Sequence, residues 1–355
     1  MGYSKENIMD YVKEEDVKFI RLVFLDAYGK QKNIAIMPNE LENTFNMGCT
    51  ICASSILDSL EGKVVLWPDP NTISVLPWRP STGKVVKMFC DVKNQDGSVF
   101  NLSARHILEK AIEFADSKNA SIFLRTDFEF YLFNLDADGN NTNIPYDNAS
   151  YMDISPLDRG ANIRREICLT LSEMHIPTCG SFHAFGPGQN KIIMQKETPL
   201  VAAENSLTFK SAIKTIAVKN GLYADFSHMP ITGKPVSKHR IVISADPITF
   251  KLAQKNIKKH YDEIYLFLNN TNNLYNDYNS SKDITFDPYL NEIYIERLSD
   301  GYNPYLVYAL LIYAIFDNTT CLDKAISLAN AKEIAKNSKF VKKHLTEAFI
   351  KEYTE

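Results

Sequence analysis

Long apolar runs are missing from this 355-residue chain: no stretch approaches the roughly 18 uninterrupted apolar residues that a membrane span requires. The first 16 residues, MGYSKENIMDYVKEED, are polar where a secretory leader needs an apolar centre. These two absences predict a cytoplasmic protein with no membrane partner. Charge of one sign is also lacking, since 39 Lys plus Arg face 43 Asp plus Glu for a net −4, so nothing draws the chain to nucleic acid. Cysteine is sparse and scattered, at positions 49, 52, 90, 168, 179 and 321. Only Cys49-Thr-Ile-Cys52 has motif spacing. Without a second pair or a nearby histidine cluster it reads as structural thiols, not zinc or redox chemistry.

What is present is an ordinary globular composition, 45% hydrophobic and 23% charged. Residues 17–100 read as strands separated by turns: VKFIRLVFLD, KNIAIM, KVVLWPDPNTISVLPW and KVVKMFCDV. From Ser103, a candidate cap, the pattern changes to helical periodicity, with Ile107, Ala111 and Phe114 on one face. Further helices are predicted at 162–174, 205–219 and 249–268, and a Pro-started one at PYLVYALLIYAIF. The Asn-rich run 269–281 reads as a surface loop. A domain boundary is expected near residue 101.

Within SIFLRTDFEFYLF the alternation puts Ile122, Leu124, Phe128, Phe130 and Leu132 on one side and Arg125, Asp127, Glu129 and Tyr131 on the other. Two carboxylates therefore stand two residues apart on one strand face. The segment SFHAFGPGQNK, residues 181–191, reads as a hairpin whose turn is Gly186-Pro187-Gly188-Gln189. It carries His183 and Lys191, and no carboxylate.

Taken in order, FIRLVFLDAYGKQKNIAI, WPDPNTISVLPW, CDVKNQDGSVF, FEFYLF, YMDISPLDRGANIRREICLTL, GPGQ, FKSAIKTIAVKNGLYADF and DGYNPYLVYALL resemble the bacterial type I glutamine synthetases, from Lys18 to the C-terminus. The resemblance implies an α+β fold: an N-terminal β-grasp domain over 14–100, then a catalytic domain over 101–355 whose antiparallel sheet forms half a barrel flanked by helices. It implies assembly into rings with sites between subunits. The family joins glutamate and ammonia through an acyl phosphate made from ATP, with two Mg or Mn ions on the phosphates.

Against that pattern the resemblance places Asp127 and Glu129 on the family's Glu-x-Glu pair. His183 falls on its His-Glu motif, with Ala184 and Lys191 where two liganding carboxylates belong. His239, in GKPVSKH, falls on the metal-binding histidine after a glycine loop that has lost its later glycines and one residue; Glu296 falls on the final carboxylate with a two-residue gap. The loop bearing the family's ammonium-deprotonating Asp is Cys52-Ala53-Ser54-Ser55 here, and the segment that supplies the family's arginines is only DITFDPYL.

The vestigial cleft is thus Asp127, Glu129, His183, Lys191, His239 and Glu296, and the remaining metal ligands would be Glu129, Asp127 and His239. No catalytic residue is securely retained and no cofactor is expected. The Lys191 ammonium is expected to take a cation's electrostatic place beside Glu129. Two readings stand side by side: a glutamine synthetase-like pseudoenzyme with a binding, regulatory or partner-subunit role, and an active ATP-dependent carboxylate–amine ligase with remodelled sites. The expected partners are further copies of the chain in a ring of six or fewer, or an active glutamine synthetase paralogue, with a small-molecule ligand in the cleft. NSKFVKKHLTEAFIKEYTE stops about where the bacterial inter-ring tail begins, which predicts one ring, not two.

Overall fold

The computed structural model describes residues 2–79, 82–269, 275, 280–319 and 324–355. The polar N-terminus forms α1 (Lys5–Glu14), which sequence reading passed over; Ser4 and Asn7 cap it reciprocally and it buries Ile8 and Val12. Then come β1 (Val17–Leu25), β2 (Gln31–Ile36), α2 (Leu41–Met47), β3 (Cys49–Cys52), β4 (Lys63–Pro68), β5 (Ser74–Val75) and β6 (Lys84–Lys93). They form one sheet in the order β2-β1-β6-β4-β3, with β5 on β6. This is the β-grasp domain. Cys49 and Cys52 lie three apart on β3, so their side chains leave opposite faces and the CxxC cannot chelate. Cys321 falls outside the described residues.

The second domain opens with α3 (Ala104–Ser117) and β7 (Ile122–Leu135), continues through β8 (Asn141–Pro145), α4 (Ala161–Glu173), β9 (Thr178–His183), β10 (Gln189–Met194), α5 (Pro199–Lys219), β11 (Leu222–Asp225), β12 (His239–Ala245) and α6 (Pro247–Leu268), and closes with α7 (Ser280–Asp283), β13 (Ile284–Asp287), β14 (Glu292–Glu296), α8 (Pro304–Phe316), α9 (Leu328–Asn337), α10 (Lys339–His344) and α11 (Glu347–Thr354). Ser103 occupies the N-cap of α3 but its side chain makes no capping bond. Helix α5 starts six residues before the predicted point, because Pro199 at its first turn needs no amide partner there. Most of the Asn-rich loop, 270–274 and 276–279, lies outside the described residues.

The eight strands of this domain run β13-β14-β12-β7-β10-β9, with β11 and β8 also pairing with β7. The sheet is open, part of a barrel. Its central strand β7 is buried on both faces, unlike a strand with one wet side: Phe128, Phe130 and Leu132 pack one way, while Asp127, Glu129 and Tyr131 are buried the other way. Phe128 and Phe130 meet Phe209 and Phe226 in stacked, tilted and edge-on contacts. Each such ring contributes on the order of 2 kcal/mol by burial, and together they fix the sheet's register against α5. The β9–β10 turn is set by Gly188, whose φ is +66° and where a Cβ would lie 2.7 Å from the Leu132 carbonyl oxygen.

Candidate functional site

In an antiparallel sheet, residues directly opposite each other point to the same side. The register pairs Arg240 with Asp127 and with Glu296, and Lys191 with Glu129. One sheet face therefore collects Asp127, Glu129, Glu296, Lys191 and Arg240 from four neighbouring strands. The carboxylate oxygens of Asp127, itself without solvent exposure, accept from Arg125 Nε at 2.8 Å and from Arg240 Nε at 2.9 Å. Glu129 accepts from Gln189 Nε2 at 3.2 Å and from the Lys238 backbone N–H at 3.0 Å, with Lys191 Nζ 3.5 Å from its other oxygen. Arg240 also reaches Glu296 at 3.8 Å. Burial raises the Glu296 carboxyl, opposed by the charges of Arg240, Lys191 and Lys238. Burial alone would lower the Arg240 guanidinium, but the Asp127 charge and hydrogen bond outweigh it and raise it.

The two histidines do not join this face. His239 lies opposite Phe128, so its ring enters the aromatic core with Phe128 and Phe226, and Nε2 hydrogen-bonds the Glu129 carbonyl oxygen at 3.1 Å. Burial, aided by the nearby Lys210 charge, lowers it to about 3, so it is neutral. The expectation that His239 stands with Asp127 and Glu129 as a metal ligand is corrected by this strand parity; its place on the cleft face belongs to Arg240. His183 pairs with Asn190, hence also the far side, and holds Asp147 at 2.9 Å through Nε2 and the Ala184 carbonyl oxygen at 2.8 Å through Nδ1. Burial would lower His183, yet the Asp147 hydrogen bond and charge leave it raised. Asp147, Asp158 and His183 form the one three-residue cluster among the described residues with spacing for a cation. Its oxygens are already taken: Arg164 donates to both carboxylate oxygens of Asp158, and Asp147 accepts from His183 and the Gly188 amide. Cys52, in the position of the family's Asp, is exposed at the end of β3.

Arg125 and Arg240 are the residues that sequence reasoning missed. Arg125 was visible two residues before Asp127 on the same face, and that spacing was the available signal. Divalent cations of the phosphate-binding kind require open carboxylate oxygens. Here Asp127 and Glu129 spend theirs on guanidinium, ammonium and amide donors, so the residues present do not fit a pair of divalent ions.

The architecture is a β-grasp domain followed by an open antiparallel sheet with an acidic central strand, the two-domain arrangement of one enzyme family. Residues 16–95 match the family described as glutamine synthetase, beta-Grasp domain, and residues 101–245 match glutamine synthetase, catalytic domain. The glutamine synthetase of Clostridium saccharobutylicum is 38% identical over 234 residues, covering 65% of this chain and 53% of that protein; that of Methanosarcina mazei is 38% identical over 235 residues, covering 65% and 52%. This chain belongs to the glutamine synthetase family. It spans about half the length of the curated relatives it matches. In fold it is similar to apo GmaS (TM-score 0.84, 18% identity, 98% of this chain and 93% of that one) and to Plasmodium falciparum glutamine synthetase (TM-score 0.84, 17% identity, 100% and 95%).

Two outcomes are expected. Lys191→Ala leaves Glu129 beside Asp127 with one cation fewer and should cost about 3 kcal/mol, near the low end for breaking a buried pair because Gln189 and the Lys238 amide remain. Urea unfolding with and without magnesium should show the ion partly restoring the variant and leaving the wild type unchanged; a variant within about 0.5 kcal/mol of wild type would mark Lys191 as a mere surface lysine. The second concerns acid. A histidine held at about 3 when folded and about 6.5 when unfolded adds stability that is complete above pH 6.5 and is lost as pH falls toward 3. His239→Gln keeps a donor for the Glu129 carbonyl without titrating, so its stability should fall less than that of wild type, by up to about 4 kcal/mol, between those pH values; parallel curves would contradict the assignment.

Proposed function

We propose that this chain is a glutamine synthetase-family protein that has lost glutamate–ammonia ligase activity and acts as a binding, regulatory or partner subunit. The observation that carries the reading is the occupancy of Asp127 and Glu129: side chains of the same sheet supply the positive charge that divalent ions bring in the family. The family uses ATP and divalent metals. In this chain a cation would have to displace Arg240 or Lys191 from hydrogen bonds inside a buried site, at the cost of leaving that side chain unpaired. The DITFDPYL segment forms the β13–β14 hairpin and contains no arginine, which leaves the glutamate and phosphate groups without the family's guanidinium donors.

The same reading takes the domains as 14–100 and 101–355, places the protein in the cytoplasm, and assembles it with itself into a ring of six or fewer copies, or with an active paralogue. No helix among the described residues is long and apolar enough to cross a membrane. A second reading, an active carboxylate–amine ligase with built-in cations, is favoured by one observation: three carboxylates still converge on the cleft face.

One assay separates the two readings. Purified protein given ATP, glutamate and ammonium with magnesium or manganese should form no glutamine and release no phosphate. Turnover at ordinary enzymatic rates, about 1 per second or more, would establish the second reading and overturn the first.

A further inference from the structure

Away from the cleft, the β-grasp sheet faces α5 across a cavity of about 240 Å³ that no carboxylate lines. Its floor is cationic. Arg21 on β1 and Lys87 on β6 are direct partners in the parallel register, and Arg79 stands beside them. Its roof is a row of hydroxyls from α5, Thr208, Ser211 and Thr215, at the i, i+3, i+7 spacing that puts them on one helix face. An interface between a sheet and a helix is ordinarily apolar; this cavity sets three cations and three hydroxyls among Val23, Leu76 and Trp78, with the amides Gln31 and Asn33.

The charges are also unbalanced. Lys87 is only 4% exposed, donates to the Thr208 hydroxyl and lies 4.4 Å over the Phe89 ring; the Glu204 charge acts on it, but no carboxylate among the described residues lies within ion-pairing distance. Burial lowers it to about 7. Arg21 and Arg79 likewise have no acidic partner among the described residues, and burial and the Arg79 charge both lower Arg21. The contrast with Arg105 is sharp: that buried guanidinium contacts Asp69, Asp91, Glu109 and Glu204. Burying the Lys87 cation without an ion pair is costly, and the half-buried Arg21 and the exposed Arg79 at the same cavity add their repulsion.

We infer that this interdomain cavity is a binding site for a small oxyanion of the phosphate class, held by Lys87, Arg21 and Arg79 with hydroxyl donors from α5. A tetrahedral oxyanion supplies the missing negative charge and accepts from guanidinium, ammonium and hydroxyl at once. Lys87 and Thr208 also line a larger cavity of about 1060 Å³ on the α1 side, whose lining includes the carboxylates Asp10, Glu14, Asp69, Glu173 and Glu204, so the anion is confined to the basic side. Bound there, the anion joins the β-grasp sheet to the catalytic domain. The inference does not depend on whether the Asp127 cleft is catalytic.

The test is calorimetric titration of the full chain with inorganic phosphate at low salt, alongside Lys87→Met and Arg79→Gln. Wild type should bind one phosphate per chain, and each variant should bind at least about tenfold more weakly, the usual scale for losing one charge-assisted contact. Arg79 is exposed, so its variant reads out the site even where Lys87→Met disturbs folding. Absence of phosphate binding to the wild type, or equal binding by wild type and Arg79→Gln, overturns the inference. Succinate binding more tightly than phosphate would overturn the phosphate class.

Discussion

Everything at the candidate cleft depends on Asp127 lying between two guanidinium groups. That arrangement is a consequence of register: Arg240 is opposite Asp127 across β7 and β12, and Arg125 precedes it by two on its own strand. Two carboxylates on one buried strand face repel each other in a medium where charge is poorly screened. Mobile ions or fixed side chains can relieve this. Here the relief is covalently attached to the fold, so Asp127 can be wholly excluded from solvent and Glu129 nearly so. The central strand is then free to be buried on both faces, and the aromatic packing of Phe128 and Phe130 on the other face follows.

Much of this was legible in residue order. The period-2 alternation of residues 122–132 separates the acidic face from the apolar one, and the Gly-Pro-Gly turn announces the hairpin that brings Lys191 to Glu129. What was not legible is parity at the two histidines. His183 and His239 match the family's motifs in the linear order, but the hairpin pairs His183 with Asn190, and β12 pairs His239 with Phe128. A one-residue shift in a strand moves a side chain to the opposite face. That Arg240 and not His239 stands opposite Asp127 is a property of strand pairing, which residue order alone does not reveal. The polar helix α1 was hidden for a different reason, since only Ile8 and Val12 are buried along it and composition alone suggests a tail.

The domain interface follows the same physical theme with the sign reversed. In the cleft, carboxylates and basic groups balance within the protein; between the β-grasp sheet and α5, Lys87, Arg21 and Arg79 converge without acids. The Arg105 cluster shows that this fold can neutralise a buried cation at the interface where it needs to. The sheet face thus balances its charges within the protein, while the cavity between the β-grasp sheet and α5 is lined by basic side chains and no carboxylate.

The proposed function rests on lysine and arginine standing in for divalent ions at Asp127 and Glu129. Manganese titration followed by electron paramagnetic resonance tests it most directly, because hydrated manganese gives a signal that coordination to protein suppresses. With wild type present, the free-ion signal should rise in proportion to added metal, as in buffer alone. Suppression of one or two equivalents per chain, reversed by Asp127→Asn or Glu129→Gln, would show that metal still holds the site and would contradict the claim.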